Sequence, residues 1–497
     1  MKRKLYNPIY LFALLSLLIA STGCKKDYLQ LNPPATQTPE NIFSTTKNAM
    51  ATINGIHRVL YRQWYGRQAE GGQSGNMIYM DILGEDFVMT ANANGWFISE
   101  YRWLGHRNES SAMVRYNYGF YYSIIGNANM IIANIDNAVG PQDEIDLIKG
   151  QAYAYRAWCY FQMIQLFGER YVKGGDNSSL GLSLVLEPKT GSLPRNSVEE
   201  VYTQINADID EAISLLDGLS RPAKSHLNVN VARGIKARVA LTQQEWELAA
   251  SFANQARQGF ELMSREEYME GFSDISNPEW IWGIRHRDDH PTYFYSFFAY
   301  LGDFSSTNTR GNPKAIFSVL YDEISDTDIR KQLWDPTGAD PDFPLVDGGT
   351  RRAYMTRKFR LANPGNSNGD LAFMRAAEMY LIEAEALARL GGARENEARE
   401  VLYELAVARD PAYSLSTNTG QDLIDEIMIQ RRVELWGEGF RFYDLKRLNL
   451  PLNRNGGNHD NSLAQKMQEP AGTRNWVFLI PRAELEYTLG VVQQNPL

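Results

Sequence analysis

The densest cluster of charged side chains lies near the carboxyl end of the chain and allows two kinds of chemistry. Glu434, Glu438, Arg441, Asp444 and Arg447 are spaced by three or four residues, which places them along one flank of a helix and the chain after it. A glycoside hydrolase needs two carboxylates that flank a glycosidic bond. Carboxylates on one helix flank cannot reach both faces of such a bond. We therefore favour a structural ion-pair network and predict no catalytic residue.

A second candidate for chemistry is the pair His286 and His290, which has the helical spacing of metal ligands. Pro291 follows directly and disfavours helix at His290. The sequence has no His-Glu-x-x-His, cysteine cluster, phosphate-binding glycine loop or Gly-x-Ser-x-Gly. We predict no metal site and no cofactor, with a calcium ion at loop carboxylates left open.

Aromatic residues in loops rich in glycine and asparagine are the best candidates for ligand binding. Trp96 and Trp103 lie in one such segment, and Tyr293 and Tyr295 lie in another. Flat aromatic faces can stack on sugar rings, while amide and charged side chains bond the hydroxyls. Loops concentrate binding residues, whereas aromatic residues inside helices normally pack in the core. We predict that these four side chains contact a ligand, and core packing is the alternative for each.

Helices must position these loops. Apolar residues at steps of three and four predict helices from Ile42 onward, and later helices come in pairs. Val231–Thr242 precedes Glu245–Gly259, and Arg375–Leu390 precedes Arg394–Arg409, while the helix at Ser197–Leu216 can pair with the one before it. Helix pairs with small residues at packing positions resemble tetratricopeptide repeats. The predicted fold class is all-α, with tetratricopeptide-like helix pairs packed against an irregular, loop-rich layer with minor β.

The irregular layer is assigned to three long segments rich in Gly, Asn, Asp and Pro: Gly66–Asn94, Gly259–Asn312 and Asp335–Gly369. Loops of this length are uncommon in compact domains unless they are functional. Short strands are predicted within or near them at Trp280–Arg285 and Trp476–Pro481.

The amino terminus has the order of an export signal. Basic residues at 2–4 precede the apolar stretch Leu11–Ala20, which is too short to span a bilayer. Small residues at 21–23 lead to Cys24, which resembles a bacterial lipoprotein processing site. Ser21 stands where such sites usually have Leu, and an ordinary signal peptide with an incidental Cys is the alternative.

These features predict the domain organisation. We expect residues 1–23 to be a lipoprotein signal peptide, Cys24 to carry the lipid, and residues 24–40 to be a polar tether. Residues 41–497 are expected to form one domain. The other cysteine, Cys159, excludes a disulfide framework. The net charge of -9 is spread along the sequence, which makes nucleic acid an unfavoured partner.

Seven segments, in order and over nearly the whole chain, resemble the SusD/RagB family. Among their features are Arg-Ala before an aromatic and then Phe-Gly in the fourth segment, and Glu-Gly-x-Arg before Asp-Leu in the sixth. The sequence departs from the family pattern at Glu169–Tyr171 and Glu486–Thr488, where the usual turn prolines are absent. The resembling segments are Asp27–Leu29, Asn41–Tyr61, Tyr121–Asp136, Gly150–Tyr171, Arg375–Gly392, Ile427–Arg447 and Val477–Pro496.

The resemblance implies a lipid-anchored, surface-exposed outer-membrane protein that captures an oligosaccharide and passes it to a SusC-like TonB-dependent transporter. In the family, a Trp in the loop after an acidic pair lines the glycan site, and this role carries over to Trp96, which follows Glu85-Asp86. Three alternatives remain: a peptide-binding member of the same family, a helical glycoside hydrolase, and a repeat scaffold that binds only proteins.

Overall fold

The computed structural model describes residues 39–188, 191–287 and 292–497. The predicted signal peptide, Cys24 and most of the predicted tether lie outside these residues. Within the described ranges, no helix combines the length and the apolar character needed to cross a membrane.

The structure is mostly helical with short strands, which confirms the predicted fold class. The α-helices, numbered in chain order, are α1 Pro39–Ile42, α2 Thr46–Val59, α3 Gln73–Ile82, α4 Ile98–Tyr101, α5 Ala112–Asn134, α6 Gln142–Phe167, α7 Val198–Leu216, α8 Val229–Thr242, α9 Trp246–Arg257, α10 Arg265–Glu270, α11 Thr307–Gly311, α12 Ser318–Asp322, α13 Ala376–Leu390, α14 Arg394–Arg409, α15 Gly420–Glu434, α16 Arg441–Arg447, α17 Asn461–Ala464 and α18 Arg482–Tyr487.

The strands form small antiparallel sheets. Strands β1, β3, β5 and β4 make one sheet in that spatial order, β2 pairs with β6, and β7 pairs with β8. Their bounds are β1 Phe87–Met89, β2 Trp280–Ile284, β3 Lys314–Ile316, β4 Trp334–Asp335, β5 Met355–Thr356, β6 Leu371–Arg375, β7 Leu452–Asn453 and β8 Gln468–Glu469.

The helical scaffold is a continuous row. From α5 to α9 each helix packs against the next, α9 packs against α13, and α13 contacts both α14 and α15. Local sequence sets the helix ends. Ser197 and Glu200 form a reciprocal capping box at the start of α7, and Gly391, with φ +71°, ends α13. The predicted helix pairs are confirmed, with ends shifted by a few residues at most.

Two sequence predictions about the loop layer are wrong. Residues 73–82, assigned to a long loop, form α3. All of its residues are buried, but Ser74, Gly75 and Asn76 near its start are weak helix formers that are common in loops, so the sequence indicated a loop. Trp476–Pro481, predicted as a strand, begins at the end of the 3-10 helix Arg474–Trp476 and forms no ladder. Its amides at 478, 479 and 480 donate instead to the Leu166 carbonyl, the His106 carbonyl and the Gln494 side chain.

The charged cluster near the carboxyl end is buried and paired. Glu434, at the end of α15, is fully buried and accepts hydrogen bonds from Arg375 at 3.0 Å and Arg409 at 3.2 Å. Burial alone raises the pKa of Glu434, but Arg409, Arg375 and Arg330 outweigh it and lower the pKa. A general acid needs a raised pKa, so this geometry supports the structural interpretation of the cluster.

Candidate functional site

The structure moves Trp103 into the core. Only 4% of its surface is exposed, and its indole Nε1–H donates to the Leu83 carbonyl at 2.9 Å. Its ring packs edge-on against Trp476 and His106, at centroid distances of 4.9 and 5.2 Å. Trp103 therefore has no free face for a sugar. The prediction that it binds a ligand is wrong, because a loop residue can still turn inward.

Trp96 lies in the loop between β1 and α4 and is partly exposed. Its neighbour Phe97, in the left-handed backbone conformation with φ +62°, is buried against Tyr300 at a centroid distance of 4.4 Å. Asn94 Oδ1 accepts a hydrogen bond of 2.7 Å from Asn308 Nδ2 in α11. These two contacts hold the loop against α11 and leave the Trp96 side chain at its edge.

Tyr293 and Tyr295 belong to a short 3-10 helix, Tyr293–Tyr295, in the second aromatic segment. Tyr293 is 58% exposed and Phe294 is 50% exposed, whereas Tyr295 is partly buried. The ring of Phe294 lies 6.2 Å from that of Phe304. The Trp96 loop and the 293–295 segment both adjoin residues 303–312, the loop through Asn94 and the segment through Phe294.

That stretch borders a cleft of about 380 Å³ in the loop layer. Asp303, Ser305 and Thr309 form part of one wall. Apolar side chains and charged groups line the remainder, and neither Trp96 nor Tyr293 is a lining residue. The other lining residues include Tyr300, Lys314, Pro344, Leu345, Val346, Asp347, Arg357, Phe359 and Arg360. An opening of this size, lined by apolar side chains together with polar and charged groups, can hold a small ligand.

The floor of the cleft is polar and rigid. Lys314 is buried in β3, and its Nζ donates to Asn308 Oδ1 at 2.6 Å and to the Asn312 carbonyl at 2.5 Å. The same ammonium lies 4.0 Å from the centre of the Tyr300 ring. Burial lowers the pKa of Lys314 well below its usual range. Lys314 is thus committed to holding α11 and the loop around it in place.

Two arginines that line this cleft, Arg357 and Arg360, were not predicted from the sequence as site residues. Arg357 and Arg360 lie in a run of ten residues, 351–360, that holds five basic residues and no acidic one. That local excess of positive charge is the signal that could have found them. Chain position could not separate them from Lys358, which points into the core and pairs with Glu438 at 2.7 Å.

No group of three or more His, Cys, Asp or Glu side chains that could hold a metal occurs within residues 39–188, 191–287 and 292–497. His286 contacts the Gly369 carbonyl through Nδ1 and lies edge-on to Tyr61 at 4.9 Å. His290, its proposed partner, lies outside the described residues.

Two family models match different parts of this chain, and a relative matches nearly all of it. A family model described as "SusD family" matches residues 326–496, and one described as "Starch-binding associating with outer membrane" matches residues 27–241. The SusD-like protein P2 of Formosa agariphila is 25% identical over 98% of this chain and 99% of its own length.

Solved structures match as well. A SusD-like carbohydrate binding protein from Bacteroides vulgatus superposes with a TM-score of 0.77 and 26% identity, over 90% of this chain and 97% of its own. A laminarin binding SusD-like protein, 21% identical, has a TM-score of 0.68 over 91% of this chain and 100% of its own. The second likeness is one of fold.

Proposed function

From the premise that the chain belongs to the SusD/RagB family of carbohydrate-binding proteins, we propose that it captures an oligosaccharide at the cell surface and delivers it to a TonB-dependent transporter in the outer membrane. The observation that carries the proposal is the cleft of about 380 Å³ in the loop layer, with Tyr293 and Phe294 exposed and Trp96 partly exposed on the segments beside it. Protein-bound sugars need this combination of aromatic faces and polar groups.

The proposal includes binding without turnover. The carboxylates of the densest charge cluster are consumed by structural ion pairs, as at Glu434 and Glu438. Asp303 lines the cleft, and burial raises the pKa of its carboxyl. However, its Oδ1 accepts a 2.8 Å hydrogen bond from the Leu361 amide, which gives it a structural task. Asp303 is nevertheless the lining carboxylate with a raised pKa, so a hydrolytic function of this cleft would depend on it.

The proposed site on the membrane follows from the family and from the amino terminus. One matching family model is described as associating with the outer membrane. A lipid on Cys24 would tether the protein there, and a SusC-like transporter would receive the ligand. Affinity purification from outer membranes should recover a TonB-dependent transporter together with this chain.

The decisive experiment is an oligosaccharide array probed with the purified protein, followed by titration of each oligosaccharide that binds. Each bound oligosaccharide is then incubated with the protein and assayed for new reducing ends. We expect saturable binding and no new reducing ends. Hydrolysis that disappears in Asp303→Asn would overturn binding without turnover. Binding of peptides but of no oligosaccharide on the array would overturn the proposed ligand class.

A further inference from the structure

The cleft in the loop layer holds two arginines that the fold leaves without full partners. Arg357 and Arg360 both line it. The Nε atom of each is buried and has no hydrogen-bond partner among the described residues. A buried donor without a partner costs free energy, and a ligand that accepted hydrogen bonds from these arginines would offset part of that cost.

The two guanidinium groups also act on each other. Burial lowers the pKa of Arg357, and the positive charge of Arg360 lowers it further. The negative charge of Asp340 opposes this effect. Like charges normally move apart in a flexible segment, because each prefers water or a carboxylate. A like-charged pair that stays together must be held by the surrounding chain.

The surrounding chain supplies that restraint. Between the two arginines, the ammonium of Lys358 donates to the carbonyls of Glu434 and Trp436, both at 2.8 Å, in the core. The Arg357 amide donates to the Leu333 carbonyl at 2.8 Å. On the far side, the Leu361 amide donates to Asp303, also at 2.8 Å. The backbone is thus fixed before, between and after the two arginines.

The other charged groups of the cleft balance the pair only in part. Asp303 and Arg360 attract each other, but burial outweighs that attraction and raises the pKa of Asp303. Asp347 is exposed at the rim. Lys314 adds a third basic group, with its donors already committed within the floor.

We propose that Arg357 and Arg360 bind an acidic group of the captured oligosaccharide, an oxyanion carried either as the carboxylate of a uronic acid or as a sulfate ester. The planar guanidinium presents paired N–H donors that fit such oxyanions. The exposed apolar side chain of Leu345 in the wall can contact a C–H face of the adjoining sugar ring. The inference deepens the proposed function and rests on it, since it assumes that the ligand is an oligosaccharide.

The test uses matched probes. Oligogalacturonate is compared with its carboxyl-reduced form, and a sulfated galactan oligomer with its desulfated form, alongside the acidic and neutral members of the array. We expect an acidic probe to bind at least about tenfold more tightly than its neutral counterpart. Its affinity should fall as salt is raised. The two acidic probes distinguish a carboxylate from a sulfate.

Three variants locate the effect. Arg357→Gln and Arg360→Gln should each lower affinity for the acidic probe by about tenfold and leave the neutral probe unchanged. Arg352→Gln is the matched control. It removes the same charge from an exposed position in the same run, and Arg352 does not line the cleft. Thermal melts of all three verify that each variant is folded.

The outcomes separate the inference from the proposed function. Equal binding of acidic and neutral counterparts overturns the inference, as does loss of affinity in Arg352→Gln equal to that in the cleft variants. In both cases oligosaccharide capture stands. Binding of only neutral oligosaccharides on the array would also overturn the inference and leave oligosaccharide capture standing. If no oligosaccharide binds, the proposed function fails and the inference fails with it.

Discussion

At the scale of single residues, Trp96 and Trp103 have similar sequence surroundings and opposite environments. Both lie in one segment rich in glycine and asparagine. Trp103 packs against Trp476 and donates to a buried carbonyl, whereas Trp96 keeps an exposed edge. The sugar-binding prediction therefore survives for Trp96 as a proposal.

Alanine substitutions should separate the two tryptophans. Trp103→Ala leaves a cavity and should cost about 3–5 kcal/mol of unfolding free energy. Trp96→Ala should cost roughly 1–2 kcal/mol, because the side chain is only partly buried, and should weaken binding of a proven oligosaccharide several-fold. Thermal melts and titrations measure both. Unchanged affinity in Trp96→Ala would remove Trp96 from the site.

His106 provides a pH-dependent prediction at the same scale. It is fully buried, and its Nε2 lies 2.9 Å from the Asn475 carbonyl. Burial lowers its pKa to about 3, against 6.5 for an exposed histidine. The unfolded chain therefore takes up a proton below pH 6.5 while the folded protein does not. The stability contributed by neutral His106 is complete above pH 6.5 and is lost as the pH falls toward 3.

The variant His106→Gln keeps a donor and cannot titrate. We expect it to be less stable than the wild type at pH 7.5. The difference in unfolding free energy should shrink by about 1.4 kcal/mol per pH unit between pH 6.5 and 4. Denaturant unfolding at several pH values measures it, and the other titrating groups cancel in the comparison. A difference independent of pH would show that the pKa of His106 is the same in the folded and the unfolded protein.

At the scale of elements, the end of α15 is joined to its neighbours by buried charge. Glu434 binds Arg409 at the end of α14, Arg375 at the end of β6 and Arg330 in the 3-10 helix Ile329–Leu333. Glu279, just before β2, binds the first two of these arginines as well. The carboxylates thus fasten helical scaffold and loop layer together.

Removing one carboxylate of this ion-pair network should lower the free energy of unfolding. Glu434→Gln leaves buried arginines with too few negative partners and should cost about 3–5 kcal/mol of unfolding free energy. Asp425→Asn, on the exposed face of the same helix, is the control and should change stability by less than roughly half a kcal/mol. Denaturant titration compares them. Equal, small effects would show that packing, not charge pairing, holds α15.

At the scale of the whole molecule, attachment to the membrane is expected to depend on the amino terminus. Cys24→Ala should move the protein from the membrane fraction to the soluble fraction, because the apolar stretch Leu11–Ala20 is too short to span a bilayer. Cys159→Ala is the matched control and should leave the distribution unchanged, since Cys159 is buried in α6. Persistent membrane association of Cys24→Ala in high salt would contradict the lipid anchor.

The helical scaffold could be predicted from the sequence alone, because amphipathic periods and end signals are local. The predicted helix pairs are present, and Ser197 and Gly391 mark helix ends at the expected places. The resembling segments also identified the family. Helix α3 was missed because Ser74, Gly75 and Asn76 near its start are weak helix formers that are common in loops.

Which loop side chains point outward depends on tertiary contacts and could not be predicted from the sequence. A loop has no repeating geometry from which the direction of a side chain could be read, so Trp103 could turn into the core while Tyr293 stayed outside. In the same way, the side chain of Lys358 lies in the core, whereas Arg357 and Arg360 line the cleft. Those directions are set by partners far away in the chain, such as Leu83 and Glu438, and no local pattern contains them.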